Sequence, residues 1–320
     1  MVRATTGLPF DDIRKLIEGP PLPDTEAAEA VRQGAPAGLG QLQELAEWLA
    51  AWQGRRDPAI VQPLIGIFAA NHGIVAQNVS EAPATETQAQ VELVAAGGAP
   101  VSRAVLQSNV GLKVFDLALD LPTPDISQED AFDEAGCAAT VAFGMEAIAG
   151  GADLLCVSDI GVGNRIVAAA LVQALFGGQA ADWLPDEPND TLRENQFAAV
   201  EAAVARVEAG DRDPLEILRR IGGREFAAIA GAILAARYQK VPVLLDGFVS
   251  VASAAVLQAL NPAMVAHCRV SEAQNSASMS RLLAETGLVP LLDLGLSGGR
   301  GLGSVLAIDL CRTATVAVHE

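Results

Sequence analysis

The sequence predicts an α/β protein, a parallel sheet flanked by helices with a smaller helical domain, and three observations lead there. From Leu64 onward, short continuous apolar runs alternate with longer alanine-rich segments, the pattern of strands buried on both faces and joined by crossover helices. Most of these runs end directly in a polar or glycine-containing turn, and ligands of open parallel sheets bind outside the carboxyl ends of the strands. Residues 1–60 differ, because their apolar positions recur at amphipathic helical spacing instead.

Taken in order, Asp24 to Val31 and Gly40 to Leu49 carry that helical spacing, and Gly19-Pro20-Pro21-Leu22-Pro23 reads as a rigid turn between the first helix and the second. A helical domain over 1–60 is therefore expected, with the C-terminal segment a candidate addition to it, and an α/β domain over 61–320. The expected strands are Leu64 to Ala69, Leu112 to Leu117, Asp153 to Val157, Val241 to Leu245, Ala263 to His267 and Val289 to Leu292. All but the second run into a polar or glycine turn, a Rossmann-like arrangement. Between Gly177 and Glu194, glycines, prolines and acids replace the apolar rhythm, which predicts a long surface loop near the active face.

Composition sets bounds. The chain has 320 residues, 51% of them hydrophobic, enough for a substantial core. No apolar run is long enough to span a bilayer, and Gly7 and Pro9 interrupt the first ten residues before any leader-like apolar segment develops. A soluble cytoplasmic protein is expected. Acidic side chains outnumber basic ones by 39 to 21, so a net charge of -18 repels a phosphate backbone and argues against nucleic acid. Cys137, Cys156, Cys268 and Cys311 lie far apart and read as small buried residues, neither a zinc site nor a disulfide framework. His72, His267 and His319 are too scattered for a histidine-rich metal centre.

Four segments carry candidate chemistry. The run Pro290 to Ser304 passes from an apolar strand into a loop with five glycines in nine residues, Gly295 to Gly303, before a helix that begins near Val305. Such a loop brings bare backbone N–H groups close to a ligand, and a helix N-terminus favours an anion. Asp153 to Arg165 reads as strand, glycine turn, then Asn164 as N-cap of a helix Arg165 to Phe176. That turn reads either as a phosphate seat or as tight packing alone. Asp246, at the end of Val243-Leu244-Leu245, reads either as a ribose ligand or as the cap of the next helix. His72, in Asn71-His72-Gly73, reads as a substrate ligand or as a residue fixing its turn.

Together these segments resemble one family in order and spacing, the nicotinate-nucleotide:dimethylbenzimidazole phosphoribosyltransferases of cobalamin biosynthesis. Phe68-Ala69-Ala70-Asn71-His72-Gly73 is similar to the family's A-G-D-H-G, Val79-Ser80-Glu81-Ala82-Pro83 and Gly97-Gly98-Ala99 to its V-S-x-x-P and G-G-A, and Asp159-Ile160-Gly161-Val162-Gly163-Asn164 to E-M-G-I-G-N. Leu245-Asp246-Gly247-Phe248 resembles V-D-G-F, and Pro290-Leu291-Leu292-Asp293-Leu294 matches P-L-L-D-L. The resemblance implies transfer of the phosphoribosyl group of nicotinate mononucleotide to a benzimidazole-like ring nitrogen, with release of nicotinate. It implies no cofactor and no metal, and a homodimer. It places the aromatic base near Ser80, Gln88 and the turn Asp159-Ile160-Gly161-Val162, and the nucleotide near Gly161, Gly163, Asn164, Ser271 and the terminal loop, including Gly299 and Gly301.

The chain departs from the family where chemistry is expected. The family's M-R-L-G-E-G-T-G carries a glutamate taken as the general base, and Arg300 stands at that position. A guanidinium has only donors and stays protonated, so it accepts no proton. Asp159 is one methylene shorter than the glutamate it replaces, Asn71 stands for an aspartate, and the family's G-R-G-T-G phosphate loop has no counterpart in residues 182–190. Cys268 to Asn275 keeps the family's H-x-S-x-E-x-G-H only in part. Three readings of Arg300 follow. It is a new anion ligand while Asp159 or Glu272 removes the proton; or the chain is a catalytically silent paralogue, a ligand-binding subunit assembled with an intact partner; or Arg300 faces solvent and a nearby carboxylate suffices.

Overall fold

In the computed structural model, residues 7–296 and 300–319 are described. Six parallel strands form one sheet: β1 (Pro63–Ala69), β2 (Gly111–Asp116), β3 (Leu154–Ile160), β4 (Val243–Leu245), β5 (Cys268–Glu272) and β6 (Pro290–Leu292), in the order β2-β1-β3-β4-β5-β6. The α/β architecture read from the sequence is present. Because successive side chains of a strand point to opposite faces, Leu64 and Phe68 of β1 and Leu155 and Val157 of β3 enter one core, while Ile65, Ile67, Leu154 and Cys156 enter the other. Both faces must therefore be covered.

Helices cover them unequally. Glu134–Met145, Asn164–Phe176, Pro214–Ile221, Arg224–Tyr238 and Phe248–Leu260 bury one face, joined by Phe10–Glu18. Gln41–Gln53, Pro100–Ser108 and Leu302–Ala317 bury the other, with Thr25–Gly34 packed outside. The helices Glu134–Met145 and Arg224–Tyr238 touch backbone to backbone: a Cβ on Gly144 would lie 1.9 Å from the Ala228 carbonyl oxygen, and one on Gly231 would lie 1.9 Å from that of Val141. Only glycine permits this crossing.

Two sequence expectations move. The fifth strand is Cys268–Glu272, and the segment expected there, Ala263 to His267, overlaps the short 3₁₀ helix Pro262–Val265. The expected loop over 177–194 contains the short helix Ala180–Trp183 and the start of Asp190–Glu208, with Trp183 fully buried and donating to the Gly177 carbonyl at 2.9 Å. All four cysteines are buried. No helix among the described residues is long and apolar enough to cross a membrane.

The strand order fixes where the site lies. After β1 the chain moves outward to β2, then returns past β1 to β3 and continues the other way. The carboxyl ends of β1 and β3 therefore flank the point where the loops diverge, the usual crevice of an open parallel sheet.

Candidate active site

The turn after β3 builds the centre of that crevice. Asp159 is the next-to-last residue of β3, followed by Gly161-Val162-Gly163 and the helix Asn164–Phe176. Both glycines are demanded by space. A Cβ on Gly161 would lie 2.8 Å from the Ala70 carbonyl oxygen, and Gly163 has φ +83° with Val75 at 2.9 Å from its missing Cβ. Gly163 is the N-cap, so Asn164 is the first helical residue and not the cap expected from the sequence. Its side chain is thereby free to donate to Asp159 Oδ2 at 2.7 Å. The Val162 N–H, freed at the same turn, donates to Thr87 Oγ1 at 3.1 Å.

Three adjoining cavities open along this turn. The first, about 340 Å³, is walled by Asp159, Asn164, Arg165, Pro185, Gly247-Phe248-Val249 and Gln274-Asn275-Ser276. A second, about 280 Å³, shares Asp159, Asn164 and Arg165 and adds Ser80, Glu86, Thr87, Gln90, Ile160 to Gly163 and Arg300. The third, about 360 Å³ and mostly apolar, shares Glu86, Gln90, Ile160 and Arg300 and adds Leu93, Val94, Ala99, Pro100, Val101 and Leu302. They are lobes of one cleft, polar at one end and apolar at the other, with Asp159 between the first two and Arg300 between the last two.

The carboxylate is tuned. Burial pushes the Asp159 carboxyl up to about 7, the negative charge of Glu225 adds to the rise, and the Asn164 hydrogen bond and the Arg300 cation oppose it. An acid near 7 interconverts readily between proton acceptor and donor at neutral pH. Arg165 follows Asn164 into the cleft. Burial lowers its guanidinium to about 9, with the Asp159 charge holding it partly up. Neither Arg165 nor the pair Thr87 and Gln90 was singled out by the sequence, since one arginine after a glycine turn and two polar residues in an exposed-looking helix carry no motif.

Glu225 reaches the site from behind. His72, in the turn after β1, bonds Glu225 Oε1 at 2.6 Å, with both side chains excluded from solvent. Thr123 lies 3.5 Å from the other ring nitrogen. Of the two readings of His72, its contacts are those of a residue fixing its turn. Asn71 is similarly turned inward, donating to the Leu119 carbonyl at 2.9 Å.

The remaining carboxylates hold the terminal loop. Asp246 does not cap the helix Phe248–Leu260, whose N-cap is Gly247 without a side-chain bond. Its carboxylate sits at the start of the helix Leu302–Ala317, where burial pushes it up to about 6 while the nearby backbone N–H groups of Gly301 and Ser304 hold it down, and its Oδ2 is buried without a hydrogen-bond partner. Glu272, 1% exposed, accepts the N–H of Leu294 at 2.8 Å and of Leu296 at 3.3 Å. Ser271 is fully buried with its hydroxyl 3.0 Å from that of Ser304. These three anchor the segment that presents Arg300 and Gly301, and none of them lines the three lobes. Gly301 is the N-cap of the terminal helix at φ +84°. Gly299 lies outside the described residues.

Of the acceptor residues, Ser80, Ile160 and Val162 meet in the second lobe. Gln88 does not join them: it is exposed and donates to Glu92 at 2.9 Å, and Gln90 occupies the lobe in its place. Arg300 is exposed, stands at φ +60°, and faces the cleft from its mouth.

Comparison with known proteins shows the family and the fold. A phosphoribosyltransferase family model matches residues 23–320. The nicotinate-nucleotide–dimethylbenzimidazole phosphoribosyltransferases of Brucella melitensis and Brucella canis are each 49% identical over 321 residues, covering 98% of this chain and 95% of the relative. A crystal structure of the enzyme of that name from Thermus thermophilus superposes with a TM-score of 0.85 at 32% identity, covering 92% of this chain and 96% of the other. That of CobT from the same organism gives 0.84 at 31%. The order of the glycine turns, the sheet that carries them and these matches over nearly the whole length place the chain in the nicotinate-nucleotide:dimethylbenzimidazole phosphoribosyltransferase family.

Proposed function

We propose that the chain transfers the phosphoribosyl group of nicotinate mononucleotide to a ring nitrogen of dimethylbenzimidazole or a similar aromatic base. The bond between the anomeric carbon and the nicotinate nitrogen breaks, and its electron pair stays with nicotinate. The acceptor nitrogen forms the new bond from the opposite face and the azole gives up one proton. The observation that carries this reading is Asp159, held at about 7 in the middle of the cleft and fixed through one oxygen by Asn164. Its other oxygen takes the azole proton, the task for which Arg300 is unsuited.

The lobes divide the substrates by polarity. The apolar lobe between Leu93, Val94, Val101 and Leu302 suits the body of the aromatic base, with its ring nitrogens turned into the adjoining second lobe that Asp159 lines. The polar lobe beside Arg165 suits the ribose phosphate, and Gly161 and Gly163 allow the backbone to approach the sugar. Arg300, between the second and third lobes, acts as an anion ligand toward the nicotinate carboxylate and lowers the charge penalty of ionised Asp159. Asp246, Ser271 and Glu272 act by holding the loop and not on the substrate. A silent-subunit role is not favoured, because a carboxylate suited to proton removal remains in the cleft.

The same reading includes a homodimer acting on small molecules in the cytoplasm. It also includes a small helical unit, expected over residues 1–60 and narrowed to Thr25–Gly34 and Gln41–Gln53 with the terminal helix, whose core they share, because Phe10–Glu18 packs on the opposite face of the sheet. The test incubates purified protein with nicotinate mononucleotide and dimethylbenzimidazole and follows nicotinate release. Acceptor-dependent release is expected, and a protein that binds the nucleotide without ever releasing nicotinate contradicts the proposal.

A further inference from the structure

We propose that Arg165 and the open N-terminus of the helix Phe248–Leu260 form an anion subsite in the polar lobe, and that this subsite takes the phosphate monoester of the nucleotide. The inference rests on the function proposed above and adds to it a specific ligand pair that supplies the missing phosphate grip.

The guanidinium is pre-set for one more partner. Its Nη2 donates to Ser278 Oγ at 2.6 Å, and its plane is held by the Phe248 ring, whose centre lies 3.2 Å from Cζ. Nη1 is buried and has no hydrogen-bond partner. An unpaired donor on a buried cation is costly unless a ligand satisfies it. The residue lines both the first lobe and the second, so an anion that met Nη1 would lie beside the sugar seat at Gly161 and Gly163. Asp159, the nearest charge opposing the guanidinium's burial, has one oxygen committed to Asn164.

Backbone donors face the same space. The helix Phe248–Leu260 has 13 residues and starts behind Gly247 at φ +94° with no side-chain cap, so its first N–H groups have no intrahelical acceptor. Gly247, Phe248 and Val249 form a wall of the first lobe. A tetrahedral anion seated there meets convergent N–H groups, the positive end of a helix and a fixed guanidinium edge. Opposite, residues 182–190 place only Pro185 in the wall and carry none of the glycines of the family's phosphate loop. The cation supplied from the start of the helix Asn164–Phe176 replaces what that loop lacks.

The test measures calorimetric binding of nicotinate mononucleotide, nicotinate riboside and inorganic phosphate to the full chain, to Arg165→Met and to Arg165→Lys. Methionine keeps an apolar stem against Phe248, and lysine keeps a charge without the forked donors. The expected result is at least a tenfold loss of mononucleotide affinity in Arg165→Met, a smaller loss in Arg165→Lys, and unchanged riboside affinity in both. Equal losses for mononucleotide and riboside would mean that Arg165 only shapes the cleft, and undiminished mononucleotide binding by Arg165→Met would likewise overturn the inference. If Arg165→Met does not fold, the Lys variant carries the comparison: a mononucleotide loss without a riboside loss supports the subsite, and no difference from the unaltered chain sinks it. A chain that binds phosphate through Arg165 but never transfers the phosphoribosyl group would remove the proposed function and leave the subsite standing.

Discussion

Asn164 donates to one carboxylate oxygen of Asp159 at 2.7 Å from the first turn of a helix, five residues along the chain. The bond exists because Gly163 takes the cap position with φ +83°, which releases Asn164 from capping. A glycine turn thus aims the carboxylate. One oxygen is fixed and the other is left toward the cleft.

Replacing Asp159 by Asn removes the proton acceptor while keeping an oxygen for the Asn164 amide. Nicotinate release should fall by about 10² to 10⁴, with affinity for nicotinate mononucleotide nearly unchanged. Steady-state rates alongside calorimetric binding check this, and a variant that retains full turnover would remove Asp159 from the chemistry.

Stability should move the other way. The Asp159 carboxyl is pushed up to about 7 in the fold from an ordinary value of 3.8, so the fold binds its proton more tightly than the unfolded chain does. The stability this contributes is complete below about 4 and is lost as pH rises through about 7. The unaltered protein at pH 8 therefore carries an ionised group that its surroundings disfavour, and Asp159→Asn does not. Thermal melts should show the variant more stable than the unaltered chain at pH 8, with the gap closing by pH 4.

The acid limb of the rate profile depends on two neighbours of opposite sign. Glu225 raises the Asp159 carboxyl and Arg300 lowers it. Glu225→Gln should shift the acid limb of kcat toward lower pH, and Arg300→Glu should shift it toward higher pH while weakening nicotinate mononucleotide binding. Rates collected from pH 5 to 9 decide it. Shifts in the same direction for both variants would contradict the electrostatic account.

The sheet was legible in the sequence because strands buried on both faces leave continuous apolar runs, as in Leu64 to Ala69. The fifth strand was misplaced for a physical reason: Cys268–Glu272 buries Ser271 and Glu272, whose polarity imitates a turn. The turn Asp159 to Asn164 was legible because its glycines are required by backbone geometry. Gln88 and Gln90 were not separable, since two positions apart on a helix differ by about 200° and the exposed-looking segment Thr85–Ala95 gives no apolar stripe to set the phase. Arg165 escaped notice because a charge at the start of a helix ordinarily faces water, and only the fold shows it lying over Phe248.

The buried pair of His72 and Glu225 should matter to folding as much as to tuning. The ring nitrogen lies 2.6 Å from Glu225 Oε1, and Glu225 Oε2 has no hydrogen-bond partner. Space around the pair is tight, since a Cβ on Gly223 would lie 2.5 Å from His72 Cε1. His72→Ala leaves the carboxylate buried and unpaired next to a cavity, which costs about 3 to 5 kcal/mol. In the double substitution His72→Ala with Glu225→Gln the stranded charge is gone, and part of that loss should return. Denaturant unfolding of the two single variants and the double variant closes the cycle. Strict additivity of the two substitutions would show that the pair is not energetically coupled, and would leave the turn after β1 to its backbone bonds with Thr123 and the Asn71 bond to Leu119.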